Sequence, residues 1–493
     1  MQCGDGGVEA ARLRVRGVVQ GVGFRPFVYA LAQEHHLAGW VRNTSAGVEI
    51  HVEGTPAALN DFAAALPRQA PPRAIVTECV REAADVSAAA TFVILESAAD
   101  PDAYQLVSPD LATCAACRRE LFDPCDRRYQ YPFTNCTDCG PRFSIIESLP
   151  YDRERTTMRV FPLCPACRRE YEDPANRRFH AEPNACPVCG PRLRLVRRLG
   201  DGEATQELRV GTTEDPAGPL QTAAELLCAG EILAVKGLGG FHLACLARDG
   251  AAVRRLKKRK GRPHKPLAVM FADVAAVRRC CVVGVAEAAL LESPEHPIVL
   301  LPWRAAAAAV VDGVNPDATG DVHPEVALGQ CRLGAMLPYT PLHLLLLHAV
   351  GAPVVMTSGN IADEPLARDE REAERLAAVA DAFLLHDRPI AQRCDDSVAI
   401  VSGGRVNVLR RARGYAPLPV RLPRRLPQVL ACGAEVKNAF CLTREHDAFV
   451  SQHVGDLENL ETLEHFEESV TWYRRLFAIE PEVIAHDLHP EYL

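Results

Sequence analysis

Hydrophobic and polar positions divide the 493-residue chain into four blocks of different rhythm. In the first, residues 10–97, the run Arg12–Arg16 alternates polar and apolar side chains, which predicts a half-buried strand. A glycine-rich turn and an amphipathic helix beginning near Pro26, a favoured first helical residue, make this a small α/β unit. The second block, 110–193, has few apolar residues between its cysteines. Residues 198–219 are polar and read as a linker. Residues 220–413 alternate short apolar strands with helical segments, including a strand, Gly turn and apolar segment at 231–247. The Pro- and Arg-rich stretch from Ala416 to Pro427 reads as a second linker. Strand-like and turn-like sequence begins at 428 and stops at 493. The most apolar stretch, Pro341 to Met356, is interrupted by Pro341, His343, His348 and Pro353 and is too short to span a bilayer.

Composition narrows the class. At roughly 100–200 residues per domain the length predicts about three to five domains. Net charge is −8 and pI about 6.1, so no overall basic field draws the chain to nucleic acid. Met1 to Arg16 lacks the apolar core of a signal peptide, and a cytoplasmic location is expected. Of 19 cysteines, eight fall in four Cys-x-x-Cys pairs and the rest are scattered among apolar residues. A reducing compartment fits this pattern better than a disulfide framework.

The four pairs form an internal repeat. Cys114/Cys117 and Cys136/Cys139 recur 50 residues later as Cys164/Cys167 and Cys186/Cys189. The flanks "CRRELFDP" and "CGPRF" are answered by "CRREYEDP" and "CGPRL". Two knuckles supply four thiolates to one tetrahedral Zn2+, so the block predicts two structural zinc ions with no position left for catalysis. Pairing within each repeat is the simplest arrangement, and crossed pairing stays open. Redox dithiols are the competing reading of any single pair.

The glycine-rich turn, "GVVQGVGFR", places backbone N–H groups and a helix N-terminus where an anion would sit, with Arg25 able to grip a phosphoryl group. An ordinary strand–helix connection is the plain alternative. Together with "GWVRN" at 39–43, the string resembles acylphosphatase. That resemblance implies a ferredoxin-like fold over about 10–97, with Arg25 binding the phosphoryl group and Asn43 positioning the attacking water.

In the third block Lys236 precedes "GLGG", and "LKKRKGRPHK" carries six Lys or Arg in ten residues before a strand. A solvated helix face is the bland reading of such a run; a cluster at a strand mouth would bind polyphosphate. "VVMTSGN" puts Thr357, Ser358 and Asn360 at the end of an apolar strand, which suits a ligand crevice. These segments, with "RLGAMLPYTPLH", resemble the YrdC-like family, which makes carbamoyl-type adenylates from ATP on an open α/β sheet. The resemblance implies Lys236, Arg259, Lys260, Arg262, Lys265, Ser358 and Asn360 as nucleotide and phosphate ligands. Asp395 and Asp396 would hold Mg2+ or pair with arginines, and pairing is preferred.

"ACGAEVKNAFCL" and "SQHVGDLENLET" resemble the start of the TsaD-like carbamoyltransferase domain, of the actin-like ATPase class, with Lys437 and Asn438 on a Gly turn between strands. The expected fold class is thus multidomain α/β and α+β. It comprises a ferredoxin-like acylphosphatase module (10–97), a twin zinc-finger module with four cysteines per zinc (110–193), a YrdC-like open α/β sheet (220–413) and an incomplete TsaD-like domain (428–493). In this order the modules resemble the HypF carbamoyltransferases of NiFe-hydrogenase maturation. What the resemblance implies is hydrolysis of carbamoyl phosphate to carbamate, ATP-dependent formation of carbamoyl adenylate, and transfer to the C-terminal cysteine thiolate of HypE, toward the cyanide ligands of the hydrogenase iron. Its cofactors would be two Zn2+, ATP and Mg2+; double-stranded RNA enters only by analogy with YrdC-like domains. The chain ends about 65 residues into its last domain, which puts the final transfer in doubt. His486 and His489 could share a metal on a helix, though they read as a strand exit. Two rivals are a tRNA threonylcarbamoyl-adenylate synthase and a zinc-ribbon RNA-binding protein. The second would use Arg118-Arg119, Arg127-Arg128, Arg168-Arg169 and Arg177-Arg178. The zinc block itself is expected to act as a rigid spacer between two active modules.

Overall fold

The structure is a computed structural model and describes residues 7–98, 104–198, 205–208, 218–304, 320–361 and 364–491. Part of the expected first linker (199–204 and 209–217) and the Ala-rich piece at 305–309 lie outside the described residues.

The N-terminal module runs β1 (Glu9–Val18), α1 (Phe24–Glu34), β2 (Ala38–Thr44), β3 (Gly47–Gly54), α2 (Pro56–Arg68), β4 (Ile75–Ala84) and β5 (Phe92–Ile94). The sheet order is β4-β1-β3-β2-β5. The first four strands pair antiparallel in the ferredoxin-like arrangement, and β5 adds a parallel edge beside β2. Alternation along β1 sends Leu13 and Val15 inward, where Val28, Leu31, Leu59 and Phe62 of the two helices cover them. The first helix starts at Phe24, two residues ahead of the expected Pro26, because Gly23 takes the N-cap in a left-handed conformation (φ 74°).

Each cysteine repeat contributes one short helix, Ala115–Phe122 and Pro165–Glu172, whose N-cap is the repeat's first cysteine. Among the described residues the third module is a mixed eleven-stranded sheet with Leu233–Lys236, Phe241–Leu246 and Val354–Ser358 near its centre. The two expected linkers need correction. In the first, Thr205–Leu208 pairs with Leu193–Arg198, which itself pairs with Ala382–His386, so this described part of the stretch extends the sheet. Val420–Leu426 is an edge strand pairing with Cys441–Val450. Its Pro423 sits where the register shifts between Arg421 and Leu426, as an edge strand allows.

The last module is a four-stranded sheet with the helix Leu460–Phe477 packed on it. One apolar cluster joins the first and last modules through the zinc block: Phe143 stands edge-on to Trp472 (5.3 Å) and Tyr473 (6.2 Å). Backbone hydrogen bonds tie the same block to the third module, Ala112 to Pro294 (2.9 Å), Thr113 to Tyr339 (3.0 Å) and Ala391 to Ser144 (2.8 Å). Among the described residues no helix is long and apolar enough to cross a membrane.

Candidate functional site

Chemistry is concentrated in three places. The cysteines gather as two groups of four, Cys114/117/136/139 and Cys164/167/186/189, which settles the pairing within repeats rather than across them. Sulfur–sulfur distances are 3.7, 3.9 and 3.5 Å in the first group. In the second they are 3.8, 3.8 and 3.6 Å. A tetrahedron with Zn–S near 2.3 Å has edges of about 3.8 Å, so both groups fit zinc with all four positions filled. The repeats also lock each other. Arg127 (2.5 Å) and Arg128 of the first hold Glu170 of the second, and Arg177 (2.8 Å) and Arg178 of the second hold Glu120 of the first. Arg177 also donates to Cys117 Sγ at 2.9 Å, and Arg127 to Cys167 Sγ at 3.2 Å. Two of the four arginine pairs are therefore committed inside the protein, and Arg128 and Arg178 are buried. The other two pairs, Arg118-Arg119 and Arg168-Arg169, are exposed, so only half of the arginine pairs invoked by an RNA-binding reading face solvent.

The second place is the Gly turn between β1 and α1. Arg25 and Asn43 come together there: with the Asn43 amide turned so that its oxygen faces the guanidinium, the orientation that satisfies both groups, it accepts from Arg25 Nε at 3.1 Å and from Nη2 at 3.2 Å. Both are buried. The zinc block forms the wall. Arg142 Nε donates to Gly21 O at 2.6 Å, and Tyr151 N to Gln20 Oε1 at 3.0 Å. A Cβ at Gly21 would meet Tyr151 and Arg142 at 3.1–3.3 Å, and one at Gly23 would meet Thr137 at 3.3 Å. Both glycines thus sit at positive φ in a closely packed turn, where any side chain would press on these neighbours. Opposite Arg25 stand Glu182 (3.0 Å) and Asp152 (3.4 Å), also from the zinc block. The block is more than a spacer, because it supplies side chains to this site. Sequence reasoning missed both carboxylates; the signal available was that Glu182 breaks the repeat, its counterpart being Pro132.

The third place is a cavity of about 420 Å³ between the third and fourth modules. Arg262, Lys265, Thr357, Ser358 and Asn360 line it from one side, and Lys437, His453 and Asp456 from the other. Lys260 lies behind this lining, donating to Ser358 and, at 3.0 Å, to Asn360 Oδ1. Burial, with Arg262 nearby, pushes its ammonium down to about 7. Two expected ligands are elsewhere. Arg259, one residue before Lys260 on a helix turning about 100° per residue, faces away and pairs with Asp381 (2.6 Å). Lys236 is buried with Nζ on His386 O at 2.9 Å, outside the cavity lining. Asp395 and Asp396 do pair with arginines, Arg410 at 2.8 Å and Arg413 at 2.9 Å. Burial would raise Asp396, but Arg413 and His242 hold it well below the carboxylate range. Asn438 is buried, its Nδ2 on Cys432 O and Ala434 O, so it braces the Gly turn rather than facing a ligand. His486 and His489 are exposed on an extended segment, and among the described residues they join no metal-ligating group.

Comparison with known proteins matches the same four modules. Residues 11–94 match the acylphosphatase family, 113–146 and 163–196 the HypF finger, 225–412 the family described as telomere recombination, and 424–493 the HypF Kae1-like domain. The chain is 48% identical to carbamoyltransferase HypF2 of Cupriavidus necator, over 98% of this chain and 59% of that protein. It is 45% identical to carbamoyltransferase HypF of Synechocystis, over 98% of this chain and 60% of the relative. A crystal structure of full-length HypF in its phosphate- and nucleotide-bound form superimposes with a TM-score of 0.90 at 43% identity, covering 99% of this chain and 61% of that one. The chain thus spans about six-tenths of the length of these relatives.

Proposed function

Because this chain belongs to the HypF carbamoyltransferase family, we propose that it performs ATP-dependent carbamoyl activation for NiFe-hydrogenase maturation in the cytoplasm. Carbamoyl phosphate binds at Arg25, with the turn N–H groups as the remaining donors, and Asn43 orients the attacking water. Preorganised donors around the phosphoryl group supply the stabilisation this step needs without a metal. Carbamate then meets ATP in the cavity between the third and fourth modules. Arg262, Lys265, Ser358 and Asn360 hold the phosphates; Asp395 and Asp396 are engaged by arginines, so Mg2+ would be bound mainly by the phosphates and would offset their charge. The products are carbamoyl adenylate and pyrophosphate. Transfer to the HypE thiolate would use the fourth module, whose Lys437 turn faces the same cavity.

The observation that carries this reading is the cavity shared by the third and fourth modules, because carbamoyl adenylate decomposes in water and a common chamber limits its escape. Arg25→Ala should reduce carbamoyl-phosphate-dependent AMP formation by about 100-fold, the scale of losing a phosphoryl-stabilising donor. Pyrophosphate exchange driven by threonine and bicarbonate instead of carbamoyl phosphate would overturn the reading in favour of a threonylcarbamoyl-adenylate synthase.

A further inference from the structure

Arg25 already has two anionic partners, and neither comes from its own module. Glu182 is 1% exposed. Its Oε1 lies 3.0 Å from Arg25 Nη2, and its Oε2 accepts from the Tyr171 hydroxyl at 2.8 Å and from Arg153 N at 2.9 Å. Asp152, at 3.4 Å from the same Arg25 nitrogen, sits closer to solvent with a side chain 27% exposed. Holding zinc does not require a carboxylate at this point in the repeat, since the first repeat builds the same four-cysteine group with Pro132 there. Something other than the metal accounts for Glu182.

We propose that Glu182 is a resident counter-anion: it holds the phosphoryl position on Arg25 in the empty enzyme and must take up a proton before a dianionic phosphoryl group can bind. The proposal rests on reading Arg25 as the phosphoryl-binding residue. A buried guanidinium carries one positive charge, and a phosphoryl dianion beside an ionised Glu182 would leave excess negative charge out of water. Neutral Glu182 takes one negative charge out of this buried set and offers an O–H to a phosphoryl oxygen, while Asp152 lies nearer solvent.

The surroundings favour such a switch near neutrality. Burial pushes the Glu182 carboxyl up to about 7, against the pull of Arg25 and of the Tyr171 hydrogen bond, while Asp152 adds to the rise. His180, next to Arg25, is driven down to about 3 by burial and by that guanidinium, so it stays neutral and supplies no competing charge. Arg153 faces Glu182 through its backbone N–H and donates its guanidinium to backbone carbonyls, including Glu182 O. At pH 6 the carboxyl is neutral and open to the ligand; at pH 8 it is ionised. Above pH 7 ligand entry therefore takes one proton from solvent, and product release returns it. No covalent bond changes.

Sulfate tests this, because its charge is fixed across the range. Titration calorimetry of the zinc-loaded chain should give a sulfate Kd rising about tenfold per pH unit above 7, with uptake of about one proton at pH 8 seen as a dependence on buffer ionisation enthalpy. In Glu182→Gln the Kd at pH 8 should fall about tenfold below wild type, with no pH slope and no proton uptake. Tyr171→Phe keeps the carboxyl but removes a hydrogen bond favouring its charged form, so the midpoint should move upward; this variant carries the test if the Gln variant loses zinc. A pH slope that survives in Glu182→Gln, or weaker sulfate binding in that variant with zinc intact, would overturn the proposal. If Arg25→Ala abolishes sulfate binding while Glu182→Gln leaves the slope, the assignment of Arg25 stands and the counter-anion role falls. Sulfate binding indifferent to Arg25→Ala overturns both.

Discussion

At the scale of single residues, the buried charges Arg413 and Asp396 are each held by several partners. Arg413 is 1% exposed; it donates to Asp396 (2.9 Å), Glu295 O (2.9 Å) and His296 O (2.8 Å) and lies over the Tyr339 ring at 3.3 Å. Asp396 in turn meets His242 Nε2 at 3.0 Å. Removing one charge from such a pair leaves the other buried alone. Asp396→Asn should therefore cost about 3–5 kcal/mol in chemical denaturation, and a loss below about 1 kcal/mol would show the pair to be dispensable. The sign with pH follows from the depressed carboxyl. Its stabilisation is fully present above the ordinary carboxylate pKa and is lost as pH falls toward its own lower value. Arg25 meets Asn43, and Ser358 and Asn360 line the cavity, positions that the family resemblance of their strings implies. Arg259 lies away from the cavity because proximity in a basic run says nothing about direction: on a helix, Lys260 and Arg259 point different ways; Lys236, at a strand end, is turned onto His386 O.

At the scale of elements, the twin repeat shows how a metal site recruits a partner. Arg177 of the second repeat reaches Cys117 of the first and is held there by Glu120; Arg127 does the same toward Cys167 with Glu170. Burial would raise Glu170, yet the two arginines pull it down to about 2. These cations offset the negative charge that four thiolates place on each zinc, as outer partners of metal ligands commonly do. Glu120→Gln should weaken zinc retention at the first site by about tenfold or more in a chelator competition assay, with the Cys164 site affected less. Equal retention at the first site before and after the change would refute the link. The 50-residue period announced two zinc sites. Their interlock was not legible, because the same arginine pairs read equally well as a basic surface until their carboxylate partners are located.

At the scale of the whole molecule, the zinc block touches each of the other three modules: the Gly turn through Arg142, the third module through Ser144, and the last helix through Phe143. The metal therefore supports a junction as well as a local fold. In a Cys114→Ser, Cys164→Ser double variant, carbamoyl phosphate hydrolysis should persist in part while AMP formed per carbamoyl phosphate consumed falls severalfold, since few apolar residues replace the metal. An unchanged ratio in that variant would mean that the block does not couple the sites.

The sequence by itself set out the eight cysteines of the twin repeat, and through its resemblance to known families it implied the module order and the Arg25–Asn43 pair. The cysteine information is local: a knuckle fixes residue type and spacing together. Tertiary structure alone decided that zinc pairing stays within repeats and that the two expected linkers contribute strands. It alone placed Lys437 across one cavity from Ser358, and Glu182 on Arg25 from 157 residues away. Burial and charge compensation act between segments remote along the chain, and no local pattern records which segments the fold will bring together.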